Sequence, residues 1–407
     1  MAEMVTNVTL ERVQDAYALI QQVAHRTPLF TAQTFDAMAG APLYLKAENL
    51  QKTGSFKIRG AVYCLSRFSP EQRERGVVTA SAGNHAQGIA LGARLNGIQA
   101  TVFMPTTASL AKISATRNYG AQVELAGAIF DEAVAAAQKH AEEIGAVFVS
   151  AFDHDDIITG QGTVALEVLE ELPDVDTVVV PVGGGGMISG MALALKSVNP
   201  RIRVVGVQAD GASALVRSWE RRELQYTPSV KTLADGIAIK KPAERTFHYI
   251  ARYVDEMVSV SDEETANTIV MLLERTKLVV EGAGAVALTA VLTGKVRVKG
   301  KTAVMLSGGN IDTKLLSSLI ERQMLRAERY VRLFTAVEDR PGALARLLTA
   351  IADCQGNLIE VIHNRASANV PLGGTAVELQ LETRDGQHIA DLLAHLTKLG
   401  YPVQVIP

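Results

Sequence analysis

The sequence has little cysteine, almost no net charge and no long apolar run. Its 407 residues include two cysteines, Cys64 and Cys354, which lie far apart and therefore predict a reducing compartment rather than a disulfide framework. A net charge of -3 gives no electrostatic reason to expect binding to nucleic acid or an acidic membrane. No apolar run approaches membrane-spanning length, and the N-terminus, with Glu3 and Glu11, lacks a signal-peptide core. These absences predict a soluble cytoplasmic protein.

Apolar residues are abundant and come in short runs between helix-like stretches. They make up 48% of the chain against 20% charged residues, which is enough for two or three domains with buried cores. The strand-like run "GVVTAS" is followed by a helical stretch that ends at Gly97, and "TVVVPV", "IRVVGVQA" and "TAVMLSG" repeat the alternation. Such apolar strands between helices are typical of parallel sheets covered on both faces. The pattern predicts two α/β lobes, with ligands beyond the carboxyl ends of the strands.

The pattern changes near Arg329. Residues 330–407 read as strand, helix, strand, strand, helix and strand, the βαββαβ order of a ferredoxin-like unit. The sequence therefore predicts a first domain over 1–320, whose smaller lobe (about 52–155) is inserted in a larger one, a connector over 321–329 and a second domain over 330–407.

The stretch "ENLQKTGSFKIRGA" places a lysine where a loop enters a predicted helix. Thr53 or Ser55 is a candidate cap for that helix, which puts Lys57 in its first turn. The helix dipole and two nearby cations, Lys52 and Arg59, oppose a charged amine there. A neutral amine can attack a carbonyl and form a Schiff base. The alternative from the residues alone is a solvated basic surface.

Four consecutive glycines, Gly183 to Gly186, stand between a predicted strand and a predicted helix. A backbone without side chains can wrap an anion at a helix N-terminus, so the motif predicts a phosphate site. The spacing matches neither a Walker A loop nor the dinucleotide-binding pattern. The alternative is a tight turn.

Two further strand ends carry polar residues. "TASAGNHAQG" offers Ser81, Asn84 and His85 at a turn suited to a carboxylate, although Asn84 can also be read as an N-cap only. Ser307 in "VMLSGGN" can bond a ligand heteroatom or belong to a simple turn. A phosphate site and a lysine suited to a Schiff base together indicate pyridoxal phosphate, which requires both.

The motifs "ENLQKTGSFKIRGA", "SAGNHAQG" and "PVGGGG" resemble, in their order, those of the fold-type II pyridoxal-phosphate enzymes. Within that group the chain is similar to the threonine ammonia-lyases (threonine dehydratases), with serine dehydratases and serine racemases as near relatives. The resemblance covers roughly residues 10–320 and implies a two-lobed catalytic domain like the tryptophan synthase β subunit. From about residue 330 the tail resembles an ACT domain and carries its opening motif, "DRPGAL".

The resemblance implies a role for each motif residue. Lys57 would carry the cofactor as a Schiff base and take the α-proton, with Ser81 as a second catalytic residue. The implied cofactor contacts are Phe56, Lys57, Asn84, Gly183, Gly184, Gly185, Gly186, Met187 (through its amide) and Ser307. The implied substrate contacts are Ser81, Asn84, His85 and Gly236.

The implied reaction is β-elimination of L-threonine to 2-oxobutanoate and ammonia. A neutral serine at the ring nitrogen would favour prompt loss of the β-hydroxyl. L-Serine is a candidate second substrate, because one methyl group in an apolar pocket is worth only about 1–3 kcal/mol. Racemases of the family carry a second serine where Ala82 stands, so racemisation is not expected. Gln208 and Ala214 stand where those racemases have metal-binding carboxylates, so no divalent metal is expected.

The ACT-like tail implies regulation by an amino acid and assembly into a homotetramer or homodimer. The implied effector site is Asp339, Arg340, Pro341, Gly342 and Ala343, with His363 and Asn364 at the same interface. The alternative is a dimerisation module without a ligand. Isoleucine is the natural feedback effector if the enzyme is biosynthetic, with valine or serine as other candidates.

Three other functions remain open at this point. One is an L-serine dehydratase or another β-hydroxy amino acid lyase. A second is β-replacement, which needs a second-substrate site that the sequence does not show. The third is a catalytically silent amino-acid sensor, against which the intact Lys57, Asn84 and glycine motifs argue.

Overall fold

The structure is a computed structural model that describes residues 7–365 and 373–406. It divides into two compact units, one ending at Ile311 and the other beginning at Asp312. The helix Thr313–Arg326 belongs to the second unit and runs across the boundary that the sequence predicted at residue 320. Among the described residues, no helix has the length and apolarity needed to cross a bilayer.

The first unit alternates strands and helices, as predicted. Its described strands are β1 (Leu29–Phe30), β2 (Leu43–Ala47), β3 (Val77–Ala80), β4 (Ala100–Met104), β5 (Gln122–Leu125), β6 (Val147–Phe148), β7 (Thr177–Pro181), β8 (Arg203–Ala209), β9 (Glu256–Val260) and β10 (Thr302–Leu306). Its described α-helices are α1 (Leu10–Ile20), α2 (Gln33–Ala39), α3 (Lys57–Ser66), α4 (Pro70–Arg75), α5 (Asn84–Asn96), α6 (Leu110–Asn118), α7 (Phe130–Ile144), α8 (Asp155–Glu171), α9 (Gly186–Val198), α10 (Ala214–Arg221), α11 (Glu244–Tyr253), α12 (Asp262–Thr276) and α13 (Gly282–Leu292). Short 3₁₀ turns lie at Glu48–Leu50, Asp210–Ala212 and Asp235–Ile237.

Two sheets form the two predicted lobes. The larger sheet has the order β1-β2-β10-β7-β8-β9 and is parallel except for β1. The smaller sheet, β5-β4-β3-β6, is wholly parallel. Every residue of β7 and β10 is buried, because helices cover both faces of the larger sheet. The predicted α/β architecture with two lobes is therefore confirmed.

Helix α8 packs closely against both α3 and α9 through glycines. A Cβ atom on Gly160 would lie 2.7 Å from Cα of Gly60, and one on Gly162 would lie 2.9 Å from the carbonyl oxygen of Gly190. Larger side chains at these positions would push the helices apart. The helix that begins at Lys57 and the helix that begins at the glycine motif are thus both held against α8.

A buried network of charges also joins α3 to α8. Arg59 is fully buried and donates to both carboxylate oxygens of Glu48 (2.8 and 2.7 Å) and to both of Glu167 (2.7 and 3.0 Å). The buried Lys46 contacts Glu167 at 2.7 Å. Since two carboxylates match the guanidinium, Arg59 is not the uncompensated neighbour of Lys57 that the sequence suggested.

The second unit has the predicted βαββαβ order after a leading helix. Its described elements are α14 (Thr313–Arg326), β11 (Tyr330–Glu338), α15 (Ala343–Asp353), β12 (Asn357–Asn364), β13 (Gly374–Glu382), α16 (Gly386–Lys398) and β14 (Gln404–Ile406). The antiparallel sheet has the order β12-β13-β11-β14, which is the ferredoxin-like arrangement. One face buries Val331, Leu333 and Val337 in a core with Leu347 and Leu392 of the two helices.

Candidate active site

A cavity of about 400 Å³ lies where the carboxyl ends of strands from both lobes face each other. This is the position expected of a ligand site in α/β sheets. The cavity is lined by every residue that the sequence predicted to contact cofactor or substrate: Phe56, Lys57, Ser81, Asn84, His85, Gly183, Gly184, Gly185, Gly186, Met187, Gly236 and Ser307. The four motifs are thus brought together in one place, although they span some 250 residues of chain.

Lys57 is the first residue of α3 and extends its amine into the cavity. Its Nζ donates to the carbonyl oxygen of Ala151 at 3.0 Å and lies 5.0 Å from the ring centre of Phe56. Desolvation by the surrounding protein lowers the pKa of the amine to about 8, although the charge of Glu281 opposes this shift. The neutral amine is therefore far more populated near neutral pH than it is in an ordinary exposed lysine.

Three interpretations of the sequence around Lys57 are corrected. The pKa falls because of burial and not because of nearby cations, and the solvated-surface interpretation is wrong. Neither Thr53 nor Ser55 caps the helix, because Phe56 holds the cap position in a helical conformation without a side-chain bond. Both hydroxyls are buried and have no hydrogen-bond partner among the described residues.

The glycine motif joins β7 to α9 and has no room for side chains. Gly185 adopts φ +90°, which favours glycine, and a Cβ atom on Gly184 would overlap the ring of Phe152. A Cβ on Gly183 would lie 3.0 Å from Cα of Ile237. No side chain caps the N-terminus of α9, so its backbone N–H groups are available to an anion. A simple tight turn would not require this clearance, and the loop fits a phosphate group.

Asn84 lies at the centre of a hydrogen-bonded chain that the sequence did not predict. Its Nδ2 donates to Oε1 of Glu281 at 2.6 Å, and its Oδ1 accepts from Nδ2 of Asn310 at 2.7 Å. Glu281 directly precedes the apolar helix α13. A lone acidic residue between apolar segments was the only feature of the sequence that could have pointed to it. Asn310 follows the predicted "LSGG" turn. Asn84 itself is the first helical residue of α5, and Gly83 takes the cap position.

Ser81, His85 and Ser307 occupy different parts of the cavity wall. Ser81 Oγ accepts from the N–H of Gly83 at 3.1 Å. His85 is buried with its Nε2 3.4 Å from the carbonyl oxygen of Val149, and burial lowers the pKa of its ring to about 3, so the ring is neutral. Ser307 Oγ donates weakly to the carbonyl oxygen of Ala283 at 3.3 Å. The side chain at this position of the cavity wall is thus a neutral hydroxyl and not a carboxylate.

An ion pair connects the two lobes beside the cavity. Nζ of Lys112, on α6, lies 2.6 Å from Oδ2 of Asp235, which shares a 3₁₀ turn with Gly236. Both side chains line the cavity and are partly exposed. Neither residue could be predicted from the sequence, because a single Lys and a single Asp form no pattern.

The positions that bear on racemisation and metal binding are also described. Ala82 lines the cavity. Gln208 is buried, with Nε2 donating to the carbonyl oxygen of Val182 and Oε1 accepting from the N–H of Val216. Its amide therefore links β8 to its neighbours. Ala214 is the first residue of α10. The absence of a metal requirement stays a prediction.

Among the residues that the structure describes, one cluster of metal-ligating residue types lies outside the cavity. Cys64, His154 and Asp156 have ligand atoms within 4.8 Å of one another. All three already have structural roles, since His154 Nδ1 accepts from the N–H of Asp156, and Asp156 pairs with Arg12. Burial raises the pKa of the Cys64 thiol, which disfavours the thiolate that a metal needs.

The predicted effector residues lie at one edge of the second unit. Gly342 adopts φ +84° in the loop between β11 and α15 that holds Asp339, Arg340, Pro341 and Ala343. The end of β12, with His363 and Asn364, is close to that loop, because Arg365 pairs with Asp339 at 3.2 Å. Their role in binding an effector stays a prediction.

Comparison with known proteins agrees with this geometry. The family model described as "Pyridoxal-phosphate dependent enzyme" matches residues 20–309. The chain belongs to the pyridoxal-phosphate-dependent enzyme family. An L-threonine ammonia-lyase of Thermotoga maritima is 49% identical to this pyridoxal-phosphate enzyme over 98% of the chain and 100% of the relative.

Solved structures of the same family share the fold of the first unit. Threonine deaminase isoform 2 of Solanum lycopersicum is 34% identical, with a TM-score of 0.73 over 79% of this enzyme and 92% of that chain. Maize serine racemase is 34% identical, with a TM-score of 0.74 over 79% of this enzyme and 99% of that chain. The enzyme thus has the fold-type II architecture and uses pyridoxal phosphate.

The residues of the cavity fit that cofactor. Lys57 offers a partly neutral amine to its aldehyde, and the glycine loop and the N-terminus of α9 fit its phosphate. Asn84 and Ser307 line the same cavity, and their polar side chains would be the candidate partners of its ring heteroatoms. When bound, the cofactor supplies a conjugated ring that delocalises charge developing at the substrate α-carbon.

Proposed function

We propose that this enzyme converts L-threonine to 2-oxobutanoate and ammonia. The observation that carries the proposal is the convergence of Lys57, Asn84 and the glycine loop on one cavity. The near-complete match to a relative named L-threonine ammonia-lyase supports the substrate. Elimination removes the α-proton and the β-hydroxyl as water, and hydrolysis then returns one water and releases ammonia, so the atoms balance.

Different cavity residues have different roles in this reaction. Lys57 removes the α-proton, which its lowered pKa allows near neutral pH. The turn at Ser81 and the uncapped N-terminus of α5 present donors to the substrate carboxylate. Ser307 would offer the ring nitrogen a neutral hydroxyl in place of a carboxylate. Ala82 provides no acid on the opposite face of the α-carbon, which favours elimination over racemisation.

The decisive experiment follows the visible absorption of the purified enzyme before and after L-threonine is added. We expect a cofactor band that shifts on addition while 2-oxobutanoate accumulates. Lys57→Ala should lose the turnover, because it removes both the attachment point and the base. A band that responds to L-serine but not to L-threonine would favour the serine dehydratase alternative. Absence of a band after reconstitution with pyridoxal phosphate would contradict the enzyme proposal.

We further propose that the second unit is an ACT-like regulatory domain that binds an amino acid. Its ferredoxin-like sheet and the "DRPGAL" loop at Asp339–Leu344 support this. The enzyme should form a homotetramer or homodimer in the cytoplasm. Light scattering tests the assembly, and calorimetry with isoleucine, valine and serine tests the ligand. Asp339→Ala should weaken binding, and a dimer that binds none of the three would favour the dimerisation module.

A further inference from the structure

Glu281 is a buried carboxyl at the cavity that the roles above leave unused. It is 6% exposed and lies just before α13, facing the Asn84 carboxamide. A Cβ atom on Gly308 would overlap its Oε1. The turn after β10 therefore needs a glycine at this position to make room for the carboxyl. The fold accommodates a charged group at a place where an apolar side chain would avoid a desolvation cost.

The hydrogen bonds around Asn84 fix the orientation of its carboxamide. Asn310 Nδ2 donates both to the carbonyl oxygen of Thr53 at 2.8 Å and to Oδ1 of Asn84 at 2.7 Å. Because that carbonyl oxygen can only accept, the Asn310 amide nitrogen must point toward Asn84. Asn84 then presents Oδ1 to Asn310 and one N–H to Glu281. Its second N–H is the donor that remains for a ligand in the cavity.

We propose that Glu281 is a positioning residue that acts through Asn84, holding its second N–H toward the ring oxygen of the bound cofactor. The proposal rests on the proposed function, because it takes Asn84 as the partner of that oxygen. The carboxyl has a second effect, since its negative charge favours the cationic form of Lys57. Glu281 thus influences both the contact of Asn84 with the ring oxygen of the cofactor and the protonation of the Lys57 amine.

Burial and the charged groups that face Glu281 determine the pH at which its carboxyl ionises. Burial and the nearby Asp235 raise the pKa of its carboxyl to about 7, against the opposing effects of Asn84, Lys112 and Lys57. These groups come from α3, α5, α6 and the 3₁₀ turn at Asp235. The carboxyl therefore changes charge near neutral pH, and its influence on Lys57 grows as pH rises through about 7.

The first test uses the cofactor-free protein, so it does not depend on catalysis. The rate of Lys57 acylation is measured against pH, with the modified peptide quantified by mass spectrometry. The midpoint of this pH profile reports the pKa of the Lys57 amine. In Glu281→Gln that midpoint should lie at a lower pH than in the wild type, because the negative charge that favours the cationic amine is lost. Asp235→Asn is the matched control, since Asp235 lines the same cavity but does not perturb Lys57. Its midpoint should stay in place or rise.

Two results of this test would overturn the electrostatic part of the proposal. One is an unchanged or raised midpoint in Glu281→Gln. The other is an equal fall in Asp235→Asn, which would mean that any carboxylate at the cavity has the same effect. Circular dichroism establishes that each variant is folded, and the isosteric Glu281→Gln change adds no volume to the site.

The second test measures the dissociation constant of pyridoxal phosphate by fluorescence. Glu281→Gln keeps an oxygen acceptor for Asn84 and should change affinity less than threefold, whereas Glu281→Leu removes it and should weaken binding about tenfold. Asn84→Ala should remove this difference, so that in its background Glu281→Leu weakens binding no more than Glu281→Gln does. Additive losses would refute action through Asn84. If the wild type itself failed to bind the cofactor, the proposed function would fail, while the acylation test would still decide the coupling to Lys57.

Discussion

Replacing Arg59 by alanine should destabilise the first unit more than the removal of an exposed charged side chain would. Arg59 makes four hydrogen bonds to the buried carboxylates Glu48 and Glu167. Lys46 would still contact Glu167 at 2.7 Å. Glu48 would keep only the hydroxyl of Thr27 among the side-chain donors that now contact it. The substitution therefore leaves a poorly compensated charge in the core.

The expected loss is about 3–5 kcal/mol in the free energy of unfolding, the range seen when one partner of a buried ion pair is removed. This corresponds to roughly a hundredfold to several-thousandfold increase in the unfolded population, at about 1.4 kcal/mol per factor of ten. Replacing Arg59 and Glu48 together by apolar residues of similar size should cost much less, because the desolvation of both charges is then avoided and Glu167 keeps its contact with Lys46.

Urea unfolding of the cofactor-free protein provides the assay, since a bound cofactor would itself add stability. Lys301→Ala is the control: Lys301 contacts Asp174 at 2.6 Å, with 40% and 64% of the two side chains exposed. We expect it to cost no more than about 1 kcal/mol. A loss of that small size in Arg59→Ala would refute the reasoning.

The pH dependence gives a second check on the cause. In the wild type, burial raises the pKa of Glu48, but Arg59 and Thr27 outweigh it, and the net pKa is lowered. The resulting stability is present above the ordinary carboxyl pKa and is lost as pH falls through the lowered value. In Arg59→Ala burial raises the pKa instead, so protonation relieves the strain of a buried charge. The difference between the two proteins should narrow toward acid pH, and a constant difference would contradict the charge explanation.

Three further predictions concern the cavity. Gly184→Ala should weaken pyridoxal phosphate binding at least about tenfold by displacing the ring of Phe152, and adding Phe152→Ala should restore most of it in a fluorescence titration. The rate at which the cofactor-free protein takes up pyridoxal phosphate should rise with pH through about 8, as Lys57 loses its proton; a rise only near pH 10 in stopped-flow absorbance would contradict the effect of burial. Lys112→Glu should raise KM for L-threonine up to about fivefold, because it breaks the pair between the lobes, and Asp235→Lys should reverse the change in steady-state assays.

Much of the site could be predicted because its chemistry is local in sequence. Lys57 follows Gly54 and Ser55 at the start of a helix, and Gly183 to Gly186 occupy a single strand-to-helix turn. Strand ends in a parallel sheet meet at one edge, so these motifs could be expected to converge before their distances were known. The βαββαβ order of the second unit was predictable for a similar reason, since each strand and each helix shows its own regular spacing of apolar residues.

The parts that could not be predicted depend on contacts between distant residues. Glu281 and Asn310 reach Asn84 across 197 and 226 positions of the sequence. Glu281 belongs to no recognisable motif, and Asn310 ends the "VMLSGGN" stretch without any sign of its partner. The cause of the Lys57 pKa shift was misjudged for the same reason. In the sequence Arg59 is a positive charge two positions from Lys57. In the structure Glu167, 108 residues away, pairs with Arg59 and neutralises it.

The position of β10 has a consequence for the order in which the protein is made. β10 lies between β2 and β7 in the larger sheet, yet it is the last strand of that sheet to leave the ribosome. Until residue 306 has emerged, both neighbours expose unpaired backbone groups of the kind that invite aggregation. Nascent chains shorter than this cannot complete the turn that carries Ser307 and Asn310. The site is therefore complete, and able to bind the cofactor, only after just over three quarters of the polypeptide has been translated.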